Sequence, residues 1–292
     1  MKRILCVDGG GMRGLLPCAI LSELERRTGK QCFELFDLVA GTSIGGITAS
    51  LLAKGVTAAD AMKFFPDSGP QIFSSRFWSL GGLWAPKYSG ATIESVLQSK
   101  LGVLKLYEAK TRLLVTALDS KSGDGHFFKS YGKESDDMMW WAARATSAAQ
   151  TYFPSFNIRG MELIDGGNVA NNPSACALAD AVAMWGVGEH IRILSLGCGM
   201  DAGDVNRQGS IGNAGAIRVG LATIKLLFEA DSSETDYILQ LVMGEEYCRF
   251  QPKLSQPLAL DDASPAGLAK LMVAASKAVA DAGPTLDRFL AP

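Results

Sequence analysis

Histidine is nearly missing from this 292-residue chain, which holds only His126 and His190. That argues against a His-based metal centre, and no metal or cofactor is expected. Six cysteines, Cys6, Cys18, Cys32, Cys176, Cys198 and Cys248, never fall at Cys-x-x-Cys spacing and read as reduced core residues. Charge of one sign is lacking too: a net charge of −2 and a pI near 5.8 leave no electrostatic footprint for a nucleic acid polymer. The first apolar run, after Lys2 and Arg3, stops at Asp8, so it meets neither signal-peptide nor transmembrane criteria, and a cytoplasmic location is expected. No Pro/Ser-rich or charged linker, no repeat and no low-complexity tract divides the chain, which predicts one domain over residues 1–292.

What is present is organised around residues 37–46, a short apolar run ending in Gly41-Thr42-Ser43-Ile44-Gly45 and opening at once into a helical pattern. A serine at a tight strand-to-helix turn has its hydroxyl held out at the sheet edge. Glycines two residues to either side remove the Cβ atoms that would crowd the turn. Ser43 is therefore the candidate nucleophile, although five residues of this pattern also arise by chance as a plain turn.

A second glycine turn lies upstream. Residues 4–7 read as a strand, Asp8-Gly9-Gly10-Gly11-Met12-Arg13-Gly14 as a loop, and Leu15, Leu16, Ile20, Leu21 and Leu24 as one face of a helix reaching Gly29. Successive glycines aim adjacent N–H groups into a concavity beside the positive end of that helix, so the loop suits negative charge. The same residues satisfy Gly-x-Gly-x-x-Gly. A dinucleotide site, however, would set Asp8 against the pyrophosphate, and the next strand ends in a serine rather than a ribose-binding acid. An oxyanion hole serving Ser43 accounts for both turns together.

Further along, residues 57–65 are helical by pattern. Residues 66–90 then read as a long Pro/Gly/Ser loop carrying Phe73, Phe77, Trp78, Leu83, Trp84 and Tyr88, packed on the body or serving as a lid or lipid-touching surface. Helices are predicted at 91–101, 138–149, 174–185 and 211–228, and strands at 112–118, 126–129, 161–164 and 191–196. Leu268, Leu271, Met272, Ala275 and Val279 mark a final helix face. Alternating strands and helices predict an α/β domain with a mostly parallel sheet. Asp165-Gly166-Gly167 closes one strand, a combination that is usually only a turn.

Taken together, four blocks resemble the patatin-like phospholipase family, in that family's order: residues 8–14, Gly41 to Gly45, Ala145-Thr146-Ser147-Ala148-Ala149, and Asp165-Gly166-Gly167 followed by Asn171-Asn172-Pro173. The resemblance covers about residues 4–200 and leaves a helical part at about 210–292. Gln150 and Cys198 depart from the family pattern, which has proline and often threonine there. The resemblance implies a three-layer fold with a mostly parallel central sheet flanked by helices. It also implies cleavage of fatty-acyl esters of membrane phospholipids by a Ser-Asp dyad. Ser43 would be the nucleophile and Asp165 the base. Gly9, Gly10, Gly11, Met12, Arg13 and Gly14 would form the oxyanion loop, Gly41 and Gly45 the elbow, and Gly166 and Gly167 the base turn. Peripheral contact with a phospholipid surface follows, and the family leaves room for a nucleotide activator and a homo-oligomer. The rival readings are an α/β-hydrolase esterase with a Ser43, Asp165, His190 triad and a non-catalytic lipid-binding protein. A carboxylate near its ordinary pKa of about 4 is a weak base for a hydroxyl, so desolvation would help it. The acid limb of activity is expected to be carboxylate-like rather than imidazole-like near 6.5.

Overall fold

A computed structural model describes residues 1–74, 85–133, 135–201 and 216–291, leaving aside the side chains of 201 and 216–225. The strands are β1 (Lys2–Val7), β2 (Leu38–Gly41), β3 (Arg112–Asp119), β4 (Gly125–Lys129), β5 (Phe156–Ile158), β6 (Met161–Asp165), β7 (Ile191–Leu196), β8 (Met200–Asp201), β9 (Tyr247–Phe250) and β10 (Lys253–Leu254). The helices are α1 (Leu15–Thr28), α2 (Cys32–Leu35), α3 (Ile44–Lys54), α4 (Ala58–Ile72), α5 (Gly90–Leu101), α6 (Met139–Thr146), α7 (Gly167–Ala170), α8 (Ser174–Trp185), α9 (Ala216–Met243), α10 (Pro265–Asp281) and α11 (Gly283–Leu290).

Among the described residues eight strands form one sheet in the order β5-β6-β3-β2-β1-β7-β9, with β4 on the other edge of β3. The run β3-β2-β1-β7-β9 is parallel, whereas β4 and β6 run antiparallel to β3. Strands β1, β2 and β7 are buried on both faces, which is why they read as continuous apolar runs. Alternation still assigns the faces: Leu5, Val7 and Val39 join the core under α1, α3 to α6, α10 and α11. Ile4, Cys6, Leu38 and Ala40 join the smaller one under α8 and α9. Each of the Leu, Ile and Val side chains among them, fully withdrawn from water, contributes roughly 1.5–3 kcal/mol. The result is the mostly parallel α/β arrangement the sequence pattern predicts, in the three layers the family resemblance implies. The six cysteines are free thiols, five of them buried.

Two boundaries differ from expectation. Helix α4 does not stop at Phe65 but runs through Pro66 and Pro70 to Ile72. The φ that proline fixes is compatible with a helix, and burial of Phe64, Phe65, Ser68, Gly69 and Ile72 offsets the lost backbone bonds. The expected 66–90 loop is thus shorter, and Phe77, Trp78, Leu83 and Trp84 lie outside the described residues. Helix α9 extends to Met243 rather than ending at Phe228, while residues 211–215 are outside the described residues.

The functional edge follows from register. Val7 pairs with Gly41, so the carboxyl ends of β1 and β2 release Asp8 and Thr42 side by side. Gly41 in turn pairs with Val115 of β3, and two residues further along β3 Ala117 pairs with Asp165 of β6. Strand β6 therefore takes the place that β2 vacates when it turns at Ser43. Asp165 arrives opposite the turn.

Candidate active site

Ser43 sits at φ 54° and ψ −124°, a left-handed conformation a non-glycine residue rarely adopts. The flanking glycines are required by contact. A Cβ on Gly41 would lie 2.1 Å from the Gly45 carbonyl oxygen, and one on Gly45 would lie 2.2 Å from the Val7 oxygen. The turn is braced from the side: the Ser43 N–H donates to Thr146 Oγ1 at 2.7 Å, and Thr42 Oγ1 donates to the Ala170 carbonyl at 2.6 Å.

The Ser43 hydroxyl donates to Asp165 Oδ2 at 2.8 Å. The other carboxylate oxygen accepts the Gly167 N–H at 2.8 Å. Burial pushes the Asp165 carboxyl up to about 6, and the bonds from Gly167 and Ser43 only partly oppose it. The Ala145 to Ala149 block, to which sequence reasoning gave no role, joins both partners. Beyond Thr146 Oγ1, the Thr146 carbonyl accepts from Gly166 N–H at 3.2 Å and the Ala148 carbonyl from Asp165 N–H at 3.1 Å.

The glycine loop reaches the same point. A Cβ on Gly9 would come within 3.2 Å of the Ser43 Cβ, and the Gly9 N–H donates to the Asn171 carbonyl at 3.2 Å. Met12 corrects the expectation for this loop. Its N–H is occupied by the Leu260 carbonyl at 2.7 Å, and the Arg13 N–H returns to Gly10 at 3.2 Å. Among the described residues nothing accepts from the Gly10 or Gly11 N–H, so these two are the available donors. Gly14 lies beneath, its α-carbon against Ile44 and Phe65.

Residues that sequence reasoning missed come from the carboxyl-terminal third. Arg249, on β9, grips the buried Asp8 carboxylate with two nitrogens at 2.8 and 2.6 Å and donates to Ser195 Oγ at 2.9 Å. On α9, Asp231 Oδ2 accepts the N–H groups of Asn171 and Asn172 at 2.6 and 3.1 Å, and Ser232 Oγ accepts from Asn171 Nδ2 at 3.0 Å. Phe228 covers Gly167, within 2.9 Å of where a Cβ would stand.

Neither histidine accepts from the Ser43 hydroxyl, which donates to Asp165. His190 precedes β7 and bonds Glu246 at 3.0 Å, at the amino end of the sheet. The His126 ring lies edge-on against Phe128, centroids 4.4 Å apart. Over the whole site opens a cavity of about 820 Å³. On the α4 and α5 side its wall is apolar, with Phe64, Ile72, Phe73, Ile93 and Phe153; toward β9 and α9 it is polar, with Arg249, Gln251, Ser232 and Asp236.

The sequence profile described as patatin-like phospholipase matches residues 5–177. The chain belongs to the patatin-like phospholipase family. A cGAMP-activated phospholipase from Pseudomonas aeruginosa is 30% identical over 269 residues, covering 88% of this chain and 80% of that protein. Patatin-like protein 2 of Oryza sativa subsp. indica is 32% identical over 212 residues, or 61% of this chain; the alignment covers 52% of the plant protein. VipD from Legionella pneumophila superposes with a TM-score of 0.50 at 13% identity, over 98% of this chain and 66% of that one, a likeness of fold. Among the described residues no helix is long and apolar enough to cross a membrane.

Proposed function

We propose that this phospholipase hydrolyses the acyl esters of membrane glycerophospholipids through Ser43 and Asp165, with the whole chain acting as one domain. The observation that carries the reading is the direct 2.8 Å bond from the Ser43 hydroxyl to a buried carboxylate. In the first step Ser43 Oγ attacks the ester carbonyl carbon and its proton passes to Asp165. The carbonyl oxygen becomes an oxyanion facing the Gly10 and Gly11 N–H groups. Collapse expels the lyso-lipid alkoxide, which takes the proton from Asp165; water then repeats the sequence and frees the fatty acid. One well-placed donor is worth about 3–4 kcal/mol in comparable oxyanion holes. A carboxyl displaced to about 6 is still ionised at neutral pH and is a better proton acceptor than an ordinary aspartate.

The apolar side of the cavity suits the acyl chain and the polar side the glycerol and head group. The same proposal has the chain meet its substrate as a peripheral protein at the cytoplasmic membrane surface. The name of the Pseudomonas relative carries activation by cGAMP, and its alignment over 88% of this chain supports extending a cyclic dinucleotide activator to this protein.

The test is lipid mass spectrometry on phospholipid vesicles incubated with wild-type or Ser43→Ala protein, with and without cGAMP. Free fatty acid and lysophospholipid from wild type alone is the expected result. Equal product from both would remove Ser43 from the mechanism, and no response to cGAMP would remove the activator.

A further inference from the structure

The oxyanion loop is held by a segment far from it in sequence. Residues 255–264 link β10 to α10 and cross over the loop as a strap, anchored by the buried side chains of Leu258 and Ala263. Its Leu260 carbonyl takes the Met12 N–H at 2.7 Å. The approach is so close that a Cβ on Gly11, at φ +56°, would lie 2.1 Å from that oxygen. An N–H given to the strap is withdrawn from the acyl oxygen, and the two that remain, on Gly10 and Gly11, are fixed in direction by the same bond.

The next residue fastens the strap. Asp261 Oδ2 accepts from Lys87 Nζ at 2.5 Å and from the Tyr88 hydroxyl at 2.6 Å. Tyr88 is 2% exposed, and its burial and the Asp261 carboxylate both hold its hydroxyl protonated, well above the ordinary tyrosine range. It therefore remains a donor throughout the working pH range. The Tyr88 ring packs against Phe73 and Phe153, centroids at 5.2 and 5.5 Å, and both of those residues line the apolar side of the cavity. A continuous chain of contacts thus runs from the acyl wall through Tyr88, Asp261 and the Leu260 carbonyl to Met12.

We infer that Asp261 is a positioning residue for the reaction: by tethering the strap to Lys87 and Tyr88 it keeps the Leu260 carbonyl on Met12 and the Gly10 and Gly11 N–H groups on the acyl oxygen. The inference rests on the Ser43 reading above, and Asp261 touches no reacting atom. Its loss is therefore felt in the chemical step more than in ground-state binding.

Two probes separate those effects. One is a soluble p-nitrophenyl ester, giving kcat and KM. The other is an alkyl fluorophosphonate: Ser43 Oγ forms a bond to phosphorus, the P–F bond breaks, fluoride leaves and the hydroxyl proton goes to Asp165, while the phosphoryl oxygen uses the same two donors. Asp261→Ala is expected to lower kcat thirtyfold or more with KM within threefold, and to slow phosphonylation in parallel. Asp261→Asn, which keeps an acceptor for Tyr88, should recover to within fivefold of wild type. Should Asp261→Ala not fold, Tyr88→Phe decides, with an expected kcat loss of three- to tenfold. A folded Asp261→Ala with wild-type kcat and phosphonylation, a loss carried by KM alone, or an unchanged Tyr88→Phe would each overturn the proposal. All of these assays are run with and without cGAMP, and wild-type protein inert toward both probes in either condition would overturn the Ser43 reading itself, and this one with it.

Discussion

The region before residue 174 and the region after 215 build the site by different means. In the first, backbone meets backbone: Gly41 and Gly45 stand where any Cβ would strike a carbonyl oxygen about 2 Å away, and Ser43 and Asp165 are joined by one bond. In the second, polar side chains reach in from α9, β9 and the strap to hold what the first region has shaped. Contacts that only glycine permits leave a mark in sequence. A carboxylate that accepts someone else's N–H leaves none, because Asp, Ser and Thr stand in countless solvated positions. The difference predicts steep losses from changes in the first region and graded ones from changes in the second.

The largest effect belongs to the pair itself. Ser43→Ala should abolish ester and phospholipid turnover, and Asp165→Asn should cost a thousandfold or more in kcat, about 4 kcal/mol of transition-state stabilisation, with the far-ultraviolet circular dichroism unchanged. Asp165→Asn has a second signature. A carboxyl raised from 3.8 to about 6 in the folded protein binds its proton more tightly there than in the unfolded chain. Stability therefore falls as pH rises from about 4 to about 6 and stays lower above, by up to roughly 3 kcal/mol. The Asn variant escapes that fall, so it should melt higher than wild type at pH 8, with the gap closing by pH 4. A gap that widens on acidification would contradict the buried, proton-seeking carboxylate.

Next come the glycines. Gly45→Ala puts its Cβ 2.2 Å from the Val7 oxygen, and Gly10→Val puts its Cβ 2.2 Å from the Cys198 Cβ. Each should cut kcat/KM about a hundredfold, against an unaffected Gly188→Ala, where a Cβ meets nothing within 4 Å. Normal kinetics in Gly45→Ala would break the claim that the first region works by backbone contact.

In the second region Arg249→Met leaves the Asp8 carboxylate, 1% exposed, buried without its cation. Chemical denaturation should show a loss of about 3–5 kcal/mol. Activity of the remaining folded protein should fall about thirtyfold, because Asp8 opens the glycine loop. A Met variant as stable as wild type would mean that the pair is replaceable packing.

This contrast also explains what could be read in advance. Strands β1, β2 and β7 are legible because burial on both faces forces unbroken apolar runs, and the Gly41 to Gly45 elbow because sterics leave glycine no substitute there. Helix α9 beyond Phe228 is not. Asp231, Ser232 and Thr235 face inward at helical spacing, so the stretch Glu229 to Asp236 shows a polar sequence where a helix normally shows its apolar face. The two prolines of α4 hid its last turns for the opposite reason, since packing outweighed a local signal. Which N–H groups of the glycine loop stay unengaged is not legible either, because sequence cannot show a carbonyl arriving on Met12 from residue 260.

The smallest effect is expected from the histidines, and it bears hardest on the proposed roles of Ser43 and Asp165. An acid limb near 6, where burial places Asp165, coincides with the range of an ordinary imidazole, so a pH profile by itself no longer separates dyad from triad. Geometry does. His190 is 55% exposed and engaged with Glu246 at the amino end of β7, while Ser43 and Asp165 meet at the opposite, carboxyl edge of the sheet. His126 sits on β4 with its ring against Phe128, an aromatic contact worth about 0.5–1.5 kcal/mol. Replacing both by Gln removes every imidazole from the chain but keeps polarity and approximate size. The double variant should melt slightly lower than wild type and keep kcat/KM within tenfold, less than about 1.4 kcal/mol. Its acid limb should stay near 6, since the titrating group is still present. A folded double variant as inactive as Asp165→Asn, or one whose acid limb vanishes, would return the proton to a histidine and reduce Asp165 to its orienting partner.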